Sequence, residues 1–159
     1  MQGLHLLGGY TAEELFPLVN FILIHWVLLA FLPRWKHTKA LTLICPIAYS
    51  ALYTLIFLSV LIYQEQIPGA SFTSLKGITI VFEDPSNLFA GWVHYVVFDG
   101  LVGRWIVCDS VERGASILFH CAVVFPCLFF TLMSGPIGFM LYMLLRNLLP
   151  DGQTKPKKA

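Results

Sequence analysis

The sequence is poor in charged residues. Of its 159 residues, 12% are Asp, Glu, Lys or Arg and 57% are hydrophobic, whereas a soluble domain carries about 25% charged residues. The apolar residues fall in blocks of about twenty, the length that a helix needs to cross a bilayer, rather than in short alternating runs. The shortage of charge therefore excludes an ordinary soluble domain and predicts an integral membrane protein.

The sequence also lacks the patterns of a disulfide framework, a zinc site and a nucleic-acid-binding surface. The four cysteines have no CxxC or zinc-finger spacing, so we interpret them as buried free thiols. The net charge is +1 and the only basic run is Lys155, Lys157 and Lys158, which argues against nucleic acid as a partner. The first fourteen residues contain no Lys or Arg, and no targeting peptide is predicted.

What the sequence does contain is four long apolar segments. They predict an all-α integral membrane protein, a single domain over residues 1–159 in which four transmembrane helices form a bundle. We place the spans at residues 15–32, 40–63, 89–108 and 117–148, with a flexible basic tail at residues 150–159. Thr11 and Glu14 predict a capping box at the start of the first helix. Residues 72–82 predict a short interfacial helix between the second and third spans, and Ser86 or Asn87 is expected to cap the third span.

The sequence leaves the shape of the fourth segment and the membrane orientation open. Residues 117–149 are longer than one span and contain Gly135 and Pro136, so the helix either kinks and projects from the membrane or breaks near Gly135. Four spans place both termini on one side of the membrane. Five Lys and Arg residues then fall on each side, and the count gives no orientation.

The third span carries three ionisable residues, His94, Asp99 and Arg104. Such groups are costly in hydrocarbon and are therefore a functional-site hypothesis; the alternative is a buried ion pair or hydrogen-bond network that only holds helices together. On a helix that turns about 100° per residue, Asp99 lies about 140° from His94 and Arg104 about 280° from it. Because the three side chains point in different directions, other helices must complete any site.

The other spans supply three candidate partners, Asn20, His25 and His120. Desolvation near the middle of a bilayer favours the neutral form of Asp99, which makes this carboxyl group a competent proton donor. Arg104 cannot deprotonate, so it either pairs, with Asp99 in the purely structural alternative, or reaches to the interface. Three histidines and an aspartate could bind iron if they converged. No HExxH or HxxxH motif is present, and we predict neither a metal nor a cofactor.

The third span and its flanks resemble a known family. Gly91-Trp92-Val93-His94-Tyr95, Phe98-Asp99 and Val102-Gly103-Arg104-Trp105-Ile106 resemble the W-x-H-Y-x-x-F-D-x-x-V-G-x-W-I signature of abscisic-acid-deficient-4-like membrane proteins. Phe82-Glu83-Asp84-Pro85, Pro126-Cys127-Leu128 and Gly135-Pro136-Ile137-Gly138 are similar to the same family and follow in the same order. The resemblance extends from about Thr11 to Arg146.

The resemblance implies a small four-helix membrane protein. The plant branch of the family is associated with neoxanthin synthesis from violaxanthin in plastid membranes, so the implied activity is carotenoid-epoxide isomerisation in a thylakoid or other plastid membrane. This reaction needs an acid at the epoxide oxygen and a base at a polyene carbon. We expect Asp99 as the acid, His94 or His120 as the base, Arg104 as the orienting residue, and His25 in the same catalytic set.

Aromatic residues around the motif are expected to bind the substrate, an apolar polyene or terpenoid that arrives from the membrane lipid. These residues are Trp92, Tyr95, Phe98 and Trp105, together with Asn20. The alternative function is a non-catalytic pigment-binding or assembly subunit of a photosynthetic membrane complex, with His94 as an axial ligand. A membrane-protein partner or a second copy of the chain is compatible with both functions. A proton or small-solute carrier is a third interpretation, but the sequence shows no internal repeat.

Overall fold

The structure is a computed structural model that describes residues 3–148, and this part of the chain is helical without any strand. Six helices follow one another, with single 3-10 turns at His5–Leu7 and Arg146–Leu148. They are α1 Ala12–Phe31, α2 Thr38–Tyr63, α3 Leu75–Glu83, α4 Pro85–Glu112, α5 Ile117–Ser134 and α6 Pro136–Leu145. The all-α prediction is confirmed for the described residues, and the predicted basic tail at residues 150–159 lies outside them.

Three helices, α1, α2 and α5, are long and apolar enough to cross a membrane. Helix α4 is longer than any of them at 28 residues, but its composition does not reach the same hydropathy. Asp99, Arg104 and Asp109 all lie within it, and ionisable groups lower the hydropathy of a segment most strongly. The structure therefore supports a membrane protein with three candidate spans, and the predicted count of four is not confirmed.

Two helix starts show how local chemistry sets the element boundaries. The predicted capping box of α1 is present: the Thr11 backbone N–H donates to Glu14 Oε2 over 2.8 Å, and the Glu14 N–H donates to Thr11 Oγ1. At α4 the prediction of a Ser86 or Asn87 cap is wrong. Asp84 Oδ1 accepts the backbone N–H groups of both residues, each over 3.0 Å. Pro85 explains the shift, because a residue without an N–H suits the first helical position.

A short helix, α3, lies where the interfacial helix was predicted and begins three residues later than expected; its place at the membrane interface stays a prediction. Ser74 caps it by accepting the Gly77 N–H over 3.1 Å. Gly77 packs directly against Ser71, so that a β-carbon at this position would lie 2.5 Å from the Ser71 carbonyl oxygen. The long connection between α2 and α4 is therefore partly helical and held by short-range contacts.

The contacts divide the chain into two compact units. Among the described residues, the first unit comprises 3–22 and 45–98, and the second unit comprises 23–44 and 99–148. In the first unit, the Tyr49 hydroxyl donates to the Leu18 carbonyl over 2.8 Å, and the Leu6 N–H donates to Ser59 Oγ over 3.0 Å. In the second unit the core includes Ile106 and Tyr142, both fully buried.

The last predicted span is two helices with a break between them, both in the second unit. Gly135, with φ 48° and ψ −87°, ends α5 and precedes α6, and this positive φ is one that glycine adopts without steric cost. Gly138 then lies against Thr131 and the Cys127 carbonyl so closely that a β-carbon would overlap them. Helix α6 also contacts His120–Val124 in the first half of α5. Of the two interpretations left open by the sequence, the break is correct, and α6 folds back along α5.

All four cysteines are free, as predicted. Only Cys127 is buried, whereas Cys45 and Cys108 are partly exposed and Cys121 is exposed. The prediction of buried thiols is therefore wrong for Cys121, because the side of α5 that carries this residue faces away from the packed interior.

Candidate functional site

Asp99 lies in the second unit on α4, where its side chain is half-buried. Among residues 3–148, Asp99 takes part in no hydrogen bond and no ion pair. Gly100 and Gly103 follow it on the helix, and both are buried. A carboxyl group without an internal partner at this place is available to a ligand, which distinguishes it from a carboxylate that holds helices together.

Arg104 does not pair with Asp99. Its Nε and Nη2 atoms donate to the carbonyl oxygen of Lys39, over 3.3 and 3.0 Å. The guanidinium group thus joins α4 to the first turn of α2 within the second unit. The structural alternative from the sequence, an Asp99–Arg104 ion pair, is absent from the described residues, and the expected orienting role of Arg104 stays a prediction.

His25 connects α1 to α4 in the second unit. Its Nε2 atom lies 3.0 Å from the Gly100 carbonyl oxygen, and the residue is only 1% exposed. A carbonyl oxygen can only accept, so Nε2 carries the proton and Nδ1 is left as the acceptor of a neutral ring. The ring also meets Trp26 edge-on, with centroids 5.8 Å apart. Burial closes off this imidazole and gives it the environment of a packing residue.

His120 lies on α5 and, like His25, contacts a backbone carbonyl group of another helix in the second unit. Its Nε2 atom lies 2.9 Å from the Ala30 carbonyl oxygen on α1, and the residue is 7% exposed. It begins a π-helical segment, His120–Val124, inside α5, and such segments are frequent at functional sites. Ala30 is five residues beyond His25, about 7.5 Å along the axis of α1. The two histidines therefore join α1 to its neighbours at different heights.

His94 belongs to the first unit and has different surroundings from the other two histidines. It is exposed, and its ring contacts Phe98 and Tyr53 at centroid distances of 4.7 and 5.7 Å. Within residues 3–148 neither ring nitrogen of His94 forms a hydrogen bond. Of the three histidines predicted for the site, this is the one whose nitrogens are free to bind a ligand or accept a proton.

The predicted substrate-binding residues do not form a single cluster in the structure. In the first unit, Trp92 stacks on Tyr95 at 6.4 Å and meets Phe16 at 6.2 Å. Phe98 contacts His94, and Asn20 is exposed. Trp105 lies in the second unit, where it contacts Phe139 and Tyr142, each at 5.7 Å. Each unit therefore has aromatic contacts of its own.

An apolar groove runs along the second unit between α1 and α5. Its volume is about 310 Å³, and its walls include Leu23, Trp26, Phe31, Phe125, Leu128 and Phe129. Trp26 connects the groove to α4, because its ring packs on Gly103 so closely that a β-carbon there would lie 2.6 Å from it. Gly103 follows Asp99 by one helical turn and shares its face. The sequence gave no sign that Trp26 makes this contact.

The most extensive polar cluster of the second unit was not predicted. Asp109 Oδ2 accepts the Tyr142 hydroxyl over 2.7 Å and Arg113 Nε over 3.1 Å, while Asp109 Oδ1 accepts Arg146 Nη2 over 3.0 Å. The Arg146 guanidinium also lies over the Trp105 ring, 5.3 Å from its centroid. The four-residue spacing of Asp109 and Arg113 was a visible signal. Tyr142 and Arg146 join the cluster only because α6 folds back.

The described residues contain no group of three or more His, Cys, Asp or Glu side chains that could hold a metal ion. His25 and His120, two of the nitrogen ligands that an iron site would have used, have their Nε2 atoms bonded to backbone carbonyls.

Comparison with known proteins gives one match. Residues 14–142 match the family model ABA4-like, described as ABA DEFICIENT 4-like. The matched range includes most of α1, all of α2 to α5, most of α6 and every residue predicted for the site. No curated protein and no solved structure matches the chain. Because the match covers most of the chain and agrees with the motif of α4, the protein belongs to the ABA DEFICIENT 4-like family.

Proposed function

We propose that the protein is a membrane-embedded isomerase that opens the epoxide of a carotenoid or related terpenoid to an allenic alcohol. Family membership over residues 14–142 is the observation that carries this proposal. In this proposal α4 is a fourth span, and the host membrane is a thylakoid or other plastid membrane where the source is photosynthetic. The unpartnered carboxyl group of Asp99 and the nearby apolar groove are the structural features that suit it.

The proposed reaction is balanced in protons and involves no redox change. Asp99 delivers a proton to the epoxide oxygen while the carbon–oxygen bond breaks. A base removes a proton from the adjacent polyene carbon, and the electron pair of that carbon–hydrogen bond becomes the second double bond of the allene. The base in this proposal is His94 or His120; the ring nitrogens of His94 form no hydrogen bonds among the described residues, whereas Nε2 of His120 lies 2.9 Å from the Ala30 carbonyl oxygen.

The groove offers a place for the substrate in the second unit. A polyene is a long apolar rod, and the groove walls are aliphatic and aromatic side chains only. Trp26 lines the groove and packs on Gly103, one turn from Asp99. Walls made predominantly of aliphatic and aromatic side chains are typical of a small-molecule site.

The test is expression of the full chain in bacteria that accumulate an epoxycarotenoid, followed by chromatography and mass spectrometry of the pigments. We expect wild type to convert the epoxide into a product of unchanged mass. Asp99→Asn and His94→Ala should lower conversion by a factor of about 10² to 10⁴, as loss of a general acid or base does. Glu83→Gln, which removes an exposed carboxylate in the first unit, is the matched control and should retain activity.

The second candidate function is a pigment-binding subunit, and the exposed His94 between two aromatic rings favours it. Neutral imidazole is a common axial ligand. The same experiment separates the two functions. If wild type leaves the pigments unchanged but the purified protein retains a tetrapyrrole that His94→Ala loses, the isomerase proposal is wrong.

A further inference from the structure

The charged residues are divided unequally between the two units. Among the described residues, the second unit has six Lys and Arg and three Asp and Glu, a formal charge of +3. The first unit has one basic residue, Lys76, and five acidic ones, a formal charge of −4. This contrast cannot be read from the net charge of the whole chain, which is +1.

The basic residues of the second unit lie at the ends of its helices and are tied together by contacts. Arg34, in the connection between α1 and α2, donates to the Ala115 carbonyl in the connection between α4 and α5. Lys39 pairs with Glu112 over 2.7 Å, which joins the start of α2 to the end of α4. We call this surface the basic face; it comprises Arg34, Lys36, Lys39, Arg104, Arg113 and Arg146.

The basic face keeps a large excess of positive charge. Its two carboxylates are Asp109, which pairs with Arg113 and Arg146, and Glu112. Six cations against two anions leave a formal charge of +4. Asp99, five residues before Arg104, forms an ion pair with none of these cations. Hydrogen bonds from Arg34 and Arg104 to backbone carbonyls satisfy donors but leave the charges in place.

The neighbouring residues place the basic face at the depth of lipid headgroups. Phe31 and Leu32, at the end of α1, are 69% and 45% exposed. Trp35 follows and is 43% exposed, with its ring 5.0 Å from that of His37. Exposed apolar residues, then a tryptophan, then lysine and arginine is the order expected from hydrocarbon through the interface to the headgroups.

We propose that the basic face binds the phosphate headgroups of anionic membrane lipids. Charge complementarity selects this occupant: the face is cationic, it is next to surface that only acyl chains would cover, and it lies on a protein with three candidate membrane spans. Binding takes place on Lys36, which is exposed and has no partner among the described residues, and on the outer atoms of Arg34 and Lys39.

The test uses the full chain reconstituted in phosphatidylcholine vesicles that contain brominated phosphatidylglycerol, which quenches nearby tryptophan. The Trp35 signal is isolated by subtracting the fluorescence of a Trp35→Phe variant. We expect brominated phosphatidylglycerol to quench Trp35 more than brominated phosphatidylcholine does at the same mole fraction. Lys36→Gln should lower the relative affinity about fivefold, which corresponds to about 1 kcal/mol per basic residue near an anionic surface. Lys36→Arg should retain it, and 0.5 M salt should weaken it.

Lys76→Gln is the matched control, because it removes the single basic residue described in the first unit. This variant should leave the quenching of Trp35 unchanged. Equal quenching by the two brominated lipids, or an unchanged Lys36→Gln variant, overturns the proposal. Loss of the preference on addition of inorganic phosphate at the concentration of the lipid phosphate also overturns it, since the face would then be a site for a free anion.

Discussion

Asp99 and Asp109 are two carboxyl groups on one helix, and their surroundings assign them different physical roles. Asp109 accepts a hydroxyl and two guanidinium groups and is fixed by all three. Asp99 has no such partner among residues 3–148. The Asp109 carboxylate is committed to contacts between helices, whereas the Asp99 carboxyl group is free to contact a ligand. Structure at the residue scale therefore separates a residue that stabilises helix packing from one that is available to a ligand.

The Asp109 cluster gives the first stability prediction. Asp109→Asn removes the carboxylate that pairs with Arg113 and Arg146, and breaking a fully buried pair costs about 3–5 kcal/mol. The three side chains retain 16–19% exposure, so we expect a smaller loss of about 2 kcal/mol in the free energy of unfolding. Thermal or denaturant unfolding of the purified protein in detergent measures it.

Glu112→Gln is the control for this prediction. It breaks the Lys39–Glu112 ion pair, whose side chains are 56% and 65% exposed, and exposed pairs contribute about 0–1 kcal/mol. Equal losses for Asp109→Asn and Glu112→Gln would show that the Asp109 cluster does not stabilise the helix pair. If Asp109→Asn loses stability but retains pigment conversion, Asp109 stabilises the fold and takes no part in the reaction.

The residues whose partners could not be predicted from the sequence share one physical property. Each forms its hydrogen bond with a group that no sequence pattern reveals. His25, His120 and Arg104 were found as polar residues in apolar segments, but each bonds a backbone carbonyl. Every residue has a carbonyl group, so no pattern predicts which one is the acceptor. Asp84 as the cap of α4 differs, because Pro85 is a local signal in the sequence that suits the first helical position.

At the scale of elements, local signals were the ones that could be predicted. The capping box of α1, the three apolar helices and the short helix α3 all depend on residues close in sequence. The break at Gly135 was visible as one of two interpretations. Its consequence was not, because Tyr142 reaches Asp109 across 33 positions only after α6 reverses along α5.

The close packing of α6 on α5 gives the second stability prediction. A β-carbon at Gly138 would overlap the Thr131 backbone and the Cys127 carbonyl, and neither can move as a side chain can. Overpacking of this kind costs about 1–3 kcal/mol, which exceeds the helix propensity gained on replacing Gly by Ala. We expect Gly138→Ala to lower the free energy of unfolding by about 1–2 kcal/mol and to separate Tyr142 from Asp109.

Met140→Ala provides the comparison, since Met140 is 58% exposed on the same helix and should leave stability nearly unchanged. The hydrogen bond from the Tyr142 hydroxyl to Asp109 reports whether α6 keeps its position, because it is lost if α6 moves away from α4. If Gly138→Ala is as stable as wild type, the tight contact at Gly138 does not hold the two helices together.

At the scale of the whole molecule, Lys and Arg are unequally distributed among the described residues, whereas the count over the whole sequence, which includes Lys155, Lys157 and Lys158, is a tie. The sequence-based count grouped Arg146 with the N-terminus and the second connection. In the structure Arg146 bonds Asp109 at the end of α4, together with Arg113. Six of the described Lys and Arg residues therefore lie in or near the first and third connections. The second connection contains one, Lys76.

This imbalance predicts the orientation, because connections rich in Lys and Arg stay on the cytoplasmic side of the membrane into which a protein inserts. We expect the connection that contains His37 to be cytoplasmic. In bacteria that express the full chain, a His37→Cys variant should react with a membrane-impermeant maleimide only after lysis. A Thr73→Cys variant, in the second connection, should react in intact cells because α2, a candidate span, separates it from His37. Wild type reports the background from the four native cysteines.

Labelling of His37→Cys in intact cells would reverse the predicted orientation, and protection of both positions would argue against α2 crossing the membrane.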